Sequence, residues 1–96
     1  MPGEGLQADA LVLDAADDVA VLIRPAAAGS VVQVLVEGRF AGLEMRTAVP
    51  AGHKIARRAM AAGDTVRKHG EVIGKLTAPV EAGEHVHVHN LVSLRV

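Results

Sequence analysis

Cysteine, tryptophan and tyrosine are all absent from the 96 residues, and Phe40 is the lone aromatic. The missing thiols exclude disulfides, thiolate zinc sites and cysteine nucleophiles together. The missing rings exclude the stacking platforms that hold single-stranded nucleic acid. Charge of one sign is lacking too: ten basic against eleven acidic residues give a formal charge of −1. A basic nucleic-acid footprint is therefore absent. No apolar run approaches the ~20 residues of a membrane span, and the N-terminus shows no secretory apolar core. A cytoplasmic chain is expected. Neither a phosphate-cradling P-loop nor a G-x-S-x-G elbow occurs.

What remains is a chain half hydrophobic by count, whose Ala, Val and Leu must fill the interior. Its length fits one domain, which hides about 60–65% of the unfolded surface in a modest, single core. Met1–Gln7 has Pro2, Gly3 and Gly5 and little to bury, and reads as a disordered tail. The domain is expected over 8–96. From Ala10 onward the pattern is short and β-like. Leu11 and Leu13 alternate, Asp14–Asp18 marks a turn, and Val19–Ile23 is a short apolar run. Val31–Val36 is a β-branched strand, Glu37-Gly38 a hairpin turn, and Phe40–Ala48 the return strand. Ile55–Ala62, rich in Ala, is the one helical stretch predicted.

A repeat punctuates this pattern. Val49-Pro50-Ala51-Gly52, Met60-Ala61-Ala62-Gly63 and Val80-Glu81-Ala82-Gly83 share the form apolar–x–Ala–Gly, and Ala26-Ala27-Ala28-Gly29 is an earlier echo. Each predicts a tight turn whose Gly takes a positive φ and re-aims the chain into the next strand. Short strands at intervals of ~8–12 residues predict an all-β, barrel-like fold.

The sharpest chemical signal is Glu84-His85-Val86-His87-Val88-His89-Asn90. In an extended strand His85, His87 and His89 share one face, about 6.5–7 Å apart, while Val86 and Val88 enter the core. Two such imidazoles can share a metal ion or an anion, although metal sites usually draw ligands from more than one strand. His85, beside the Gly83 turn, is expected to contribute least. Gly52-His53-Lys54 and Arg67-Lys68-His69-Gly70 each place an imidazole beside an ammonium, a pairing suited to carboxylates. Singly, each reads first as an ordinary basic loop; a small barrel can bring all three segments to one rim. Asp14, Asp17 and Asp18 read as turn chemistry.

Three of these segments occur in order: Gly52-His53-Lys54-Ile55-Ala56, then Ala62-Gly63-Asp64-x-Val66-x-Lys68-x-Gly70-x-x-Ile73-Gly74, then Ala82-Gly83-Glu84-His85-Val86-His87-x-His89-Asn90. Together they resemble the N-terminal SAF domain of the altronate dehydratase family, which includes galactarate dehydratase and sulfolactate sulfo-lyase. The resemblance covers Ala8–Leu91; His69 departs from it, standing where relatives often carry Tyr. It implies an SAF-type β-clip fold with at most one or two short helices. It also implies a lyase reaction: a base takes the proton next to a carboxylate, and water or sulfite leaves from the neighbouring carbon. A divalent metal, iron or manganese, is implied for the assembled enzyme as a Lewis acid. The family's larger catalytic domain is not contained in these residues, so the resemblance implies a small subunit, inactive alone, with a large catalytic partner. In that setting Lys54 and Lys68 would neutralise the substrate carboxylate. His87 and His89 would bind metal or move a proton, His53 would contact substrate, and Asn90 would hydrogen-bond a hydroxyl. Two other readings stay open: a stand-alone carbohydrate-binding SAF module, and a biotinyl- or lipoyl-type carrier. The latter lacks a lysine at an exposed hairpin tip within Leu76–Gly83. Self-association also stays open.

Overall fold

Short β-branched runs separated by Gly turns cannot build long elements, and the strands are accordingly brief. The structure, a computed structural model, describes residues 7–94. Among them are nine strands: β1 (Ala10–Val12), β2 (Val19–Leu22), β3 (Val31–Val36), β4 (Arg39–Glu44), β5 (Lys54–Ala56), β6 (Thr65–Lys68), β7 (Glu71–Leu76), β8 (His85–Val86) and β9 (Leu91–Ser93). Of the tail expected over Met1–Gln7, all but Gln7 lies outside the described residues. Six strands form one sheet in the order β4-β3-β1-β2-β5-β8, and β6-β7-β9 form a second. Among the described residues only the β1–β3 pair is parallel. The all-β architecture of two short-stranded sheets is that of an SAF-type β-clip.

Local chemistry explains the turns. Val36 pairs with Arg39 across a two-residue loop, Glu37-Gly38, in which both residues have positive φ (48° and 77°). That geometry matches the twist of a hairpin, as the dipeptide predicts. His69-Gly70 repeats it between β6 and β7, at φ 56° and 77°. The four apolar–x–Ala–Gly repeats are four equivalent turns. Gly29, Gly52, Gly63 and Gly83 all have φ between 82° and 90°. The N–H of the residue after each Gly closes onto the carbonyl three residues back: Ser30 to Ala27, His53 to Pro50, Asp64 to Ala61, Glu84 to Glu81. The first residues of the repeats pair with one another, Ala26 with Val49 and Met60 with Val80.

This turn pattern displaces the helix expected over Ile55–Ala62, since no described residue is helical. Ile55 and Ala56 are instead buried strand residues paired with Ala20 and Val19. Met60 opens the third turn, and the Arg57 N–H is bound by the Asp18 carbonyl. Tertiary pairing outweighs the helix propensity of alanine here. Among the described residues, no helix is long and apolar enough to cross a membrane.

The interior also differs from the single core expected. Ala10, Ala20, Leu22, Val32, Val34, Met45, Val49 and Ile55 form one cluster. Val19, Ala56, Met60, Val66, Leu76, Val80 and Val86 form another. Successive residues of β2 and β5 point opposite ways, so Val19 and Ala56 enter one cluster while Ala20 and Ile55 enter the other. The β2–β5 ladder is the shared wall.

A polar clamp ties the β1–β2 turn to the β6–β7 hairpin. The Asp17 carboxylate accepts the N–H groups of His69 (2.7 Å) and Gly70 (2.8 Å). The Asp18 carboxylate accepts the Arg67 N–H (2.8 Å) and two donors of Arg58. The aspartates are thus turn residues, as their spacing suggested.

Candidate functional site

Strand β5, the turn before it, and the β8 edge carry the histidines. Ile55 stands opposite His85 and Lys54 opposite Val86. Extending that antiparallel register by one residue sets His53 opposite His87. Cross-strand neighbours share a face, so His53, His85 and His87 gather on one side of the ladder. Their backbone is fixed from behind. The Gly52 N–H donates to the Leu22 carbonyl (2.7 Å), and the His53 carbonyl accepts the Leu22 N–H (3.0 Å).

The strand expected to continue through His89 stops at Val86. Residues 87–90 form a turn, and the cause is Asn90. Its Oδ1 accepts the His87 N–H (2.9 Å), its Nδ2 donates to the His85 carbonyl (2.9 Å), and its own N–H donates to the His87 carbonyl (3.0 Å). Val86 is buried as expected, but Val88 sits on the turn with 83% of its surface exposed, not in the core. The Asn90 amide, expected to reach a substrate hydroxyl, is buried and holds this turn.

The turn nevertheless keeps the rings together. His53 Nδ1 lies 2.8 Å from His85 Nε2. His53 and His87 stack with centroids 4.1 Å apart, His85 and His87 lie 5.3 Å apart, and His89 lies 5.1 Å from His85. One ligand atom from each of His53, His85 and His87 falls within 4.8 Å of the others. His85 therefore belongs to the tightest group, and His89, expected as a metal ligand, flanks it. Three half-buried imidazoles on two chain segments can hold a metal ion or pass a proton.

Electrostatics favours the neutral form of His85 and of His87. Burial, followed by the neighbouring His89, His53, His87 and Lys54 charges, lowers the His85 pKa below its ordinary value. Burial, then His53, Lys54 and His89, lowers that of His87. Lys54 is itself lowered, by burial and then by the Lys68 ammonium of β6. The rings of His53, His85, His87 and His89 thus gather in one group, Lys54 acts on it from the Val86 side of the ladder, and Lys68 is linked to Lys54 but to none of the rings. His69 takes no part in the ring contacts; its backbone N–H is held by Asp17 in the β6–β7 turn. The sequence signal for His85 was its position two residues past a repeat Gly, as His53 is one past another.

The chain is 38% identical to the (2R)-sulfolactate sulfo-lyase subunit alpha of Chromohalobacter salexigens over 90 residues, covering 91% of this chain and 96% of that protein. It is 50% identical over 48 residues to the subunit alpha of Paracoccus pantotrophus, covering 50% of this chain and 72% of the relative. Altronate dehydratase of Escherichia coli is 38% identical over 78 residues, 81% of this chain but 15% of that enzyme. The family model of the altronate/galactarate dehydratase SAF domain matches residues 8–94, and the chain belongs to that family.

Proposed function

We propose that this chain is the small subunit of a hydroxy-acid lyase and lends its histidine–lysine patch to an active site completed by a large catalytic subunit. The observation that carries the reading is the near end-to-end match to a sulfo-lyase subunit alpha. The patch supplies chemistry suited to such a reaction. Lys54 and Lys68 offer positive charge to a substrate carboxylate. The His85 and His87 imidazoles, whose pKa values burial and neighbouring charge lower, offer a nitrogen to a proton near neutral pH. Proton abstraction beside a carboxylate followed by loss of water or sulfite needs more groups than one rim provides, hence the partner. The three convergent imidazoles also fit a divalent metal, iron or manganese, which when bound polarises carboxylate and hydroxyl oxygens. Cytoplasmic placement belongs to the same proposal.

The test is reconstitution with the product of a neighbouring large-subunit reading frame, assayed on sulfolactate, altronate and galactarate. The chain alone is expected to give no turnover and the complex to give it. Lys54→Ala and Lys68→Ala should reduce kcat/KM by the equivalent of about 2–5 kcal/mol if they contact a desolvated carboxylate, while leaving the melting temperature near wild type. Turnover by the chain alone, or lysine variants with wild-type kinetics, would overturn the reading.

A further inference from the structure

Among the described residues four strands stand at sheet edges, and they are not alike. β8 has two residues and β9 three. β6 is broken by a register shift at Val66/Arg67 and carries Arg67 and Lys68. Short, bulged or lysine-bearing edges resist pairing with another chain. β4 has none of these protections. Its six residues pair with β3 without a shift and include neither Pro nor Lys. Between Arg39 and Glu44 the sequence is Phe40-Ala41-Gly42-Leu43.

The backbone fixes which groups face outward. The Met45 N–H donates to the Ser30 carbonyl (2.8 Å), and the Met45 carbonyl accepts the Gly29 N–H (2.8 Å). Hydrogen-bonding direction alternates along an antiparallel strand, so Leu43, Ala41 and Arg39 also turn their N–H and C=O groups to β3. Phe40, Gly42 and Glu44 turn theirs to the open edge. The Gly83 turn covers that edge from Glu44 onward, where the Arg46 N–H donates to the Gly83 carbonyl (3.0 Å). The open stretch is therefore Arg39–Leu43, centred on Ala41.

This stretch is complementary to itself. Turned end for end about Ala41, two copies set Phe40 opposite Gly42 on each side of the axis, with outward-facing backbone against outward-facing backbone. Each Phe40 ring then lies over a residue without a side chain. Beside it stands Val31, whose Cγ1 is 3.2 Å from where a Cβ on Gly42 would be. Phe40 is 39% exposed and Val31 60%; the pairing covers both. At the axis Ala41 meets Ala41, small enough for the close approach of a non-hydrogen-bonded pair. Charge selects the same direction. Glu37, Arg39, Glu44 and Arg46 follow one another along the edge, all exposed, and none has an ion-pair partner among the described residues. Antiparallel pairing brings Glu37 near Arg46 and Arg39 near Glu44 of the other copy, whereas parallel pairing in register sets like charges together.

We propose that the chain forms a two-fold dimer by antiparallel pairing of β4 with β4 of a second copy, joining two six-stranded sheets into one. β8 stands at the opposite edge of the sheet from β4, so each histidine group stays open to a large subunit. The inference stands independently of the lyase reading. So short a ladder buries less than a standard interface, and the dimer should form in the micromolar to submillimolar range.

The experiment is sedimentation equilibrium of the 96-residue chain from about 10 μM to about 1 mM, joined to amide exchange followed by NMR. A chelator is present so that metal cannot bridge histidines. The mass should rise from monomer to dimer with concentration. The Phe40 and Gly42 amides should gain protection in step, while those of Ala41 and Leu43, bonded to β3, stay protected throughout. Ala41→Lys sets two ammonium groups at the axis and should weaken dimerisation by at least about tenfold. Arg39→Glu with Arg46→Glu leaves only acidic charge along the edge, and Glu37→Arg with Glu44→Arg only basic charge. Each double variant alone should be monomeric, and the two mixed should form a heterodimer. A wild-type chain still monomeric at about 1 mM overturns the proposal. So does a dimer that survives Ala41→Lys or leaves the Phe40 and Gly42 amides unprotected, since another face then holds it. A mixture of the double variants that stays monomeric also overturns it. Protection of Phe40 and Gly42 that appears only with a large subunit assigns the edge to that subunit and ends the self-pairing. Wild-type mass and protection can refute the dimer on their own, so a variant that fails to fold does not shield it.

Discussion

Asp17 shows how one side chain can hold a junction. Its carboxylate accepts the N–H groups of Asp14, His69 and Gly70. Burial opposes its ionisation, but those three bonds, with the His69 charge, more than offset it and hold the pKa below the usual value. A folded pKa below the unfolded value of about 3.9 means the native state binds fewer protons through that interval. The contribution is therefore complete above about pH 4 and disappears as pH falls through the folded value. His85 and His87 act in the same direction at higher pH, since their lowered pKa values make protonation below about pH 6.5 costly to the fold. Acid loss of stability should begin with the histidines and continue with Asp17. Asp17→Asn should cost about 1–3 kcal/mol near neutrality, because an amide donor meets backbone donors. Melting temperatures of both proteins from neutral to acid pH measure this. The gap should close as Asp17 of the wild type becomes protonated, and a gap constant down to about pH 3 would assign the loss elsewhere.

At the scale of elements, the repeated turns were the most legible feature. A Gly at the same place in four similar tetrapeptides announces a positive φ, and β3, the Glu37-Gly38 hairpin and the strand character of Val19–Leu22 follow from composition. Ile55–Ala62 looks helical in sequence because alanine's helix preference is local, whereas the pairing of Ile55 and Ala56 with β2 is not visible there. The end of β8 was hidden for a similar reason. Period-two alternation through Val88 looks like a strand, and only the buried bonds of Asn90 reveal a turn. Bringing His53 to His85 required knowing that β5 pairs with β8 across 32 positions of sequence. Substitutions separate these roles. Val86→Ala should cost about 1–3 kcal/mol by emptying a buried site, and Val88→Ala should fall within about 0.5 kcal/mol of wild type. Asn90→Ala should cost about 2 kcal/mol by orphaning buried backbone groups, and it should also release His87 from the ring group. Thermal melts check all three; a destabilising Val88→Ala with a neutral Asn90→Ala would restore the continuous strand. The repeat Gly residues divide likewise. A Cβ at Gly83 would overlap the Glu44 carbonyl, whereas at Gly52 nothing lies within 4 Å. Gly83→Ala should therefore be far more damaging than Gly52→Ala, whose penalty is confined to its φ of +84°.

Two clusters in a molecule this small pose a question of cooperativity. Each is too slight to stand alone, since domains of this size keep only a narrow margin over chain entropy. They share β2 and β5, whose alternate residues enter opposite clusters, and the Asp17–Asp18 clamp binds the β6–β7 hairpin to the turn leading into β2. Losing either cluster would expose one side of the wall that supports the other. The whole chain should therefore unfold in one transition. Leu22→Ala empties a buried site in the first cluster and Leu76→Ala one in the second. Each should cost about 2–5 kcal/mol and lower the same transition. The check is far-UV circular dichroism together with hydrogen exchange resolved by peptide. In both variants, amides of β3 and of β7 should lose protection together. If Leu76→Ala deprotects β7 and leaves β3 at wild-type protection, the β2–β5 wall does not couple the halves. The histidine patch, which lies on the Ile55 side of the β5–β8 ladder while Ala56 and Val86 of the same strands enter the second cluster, would then be supported from one side only.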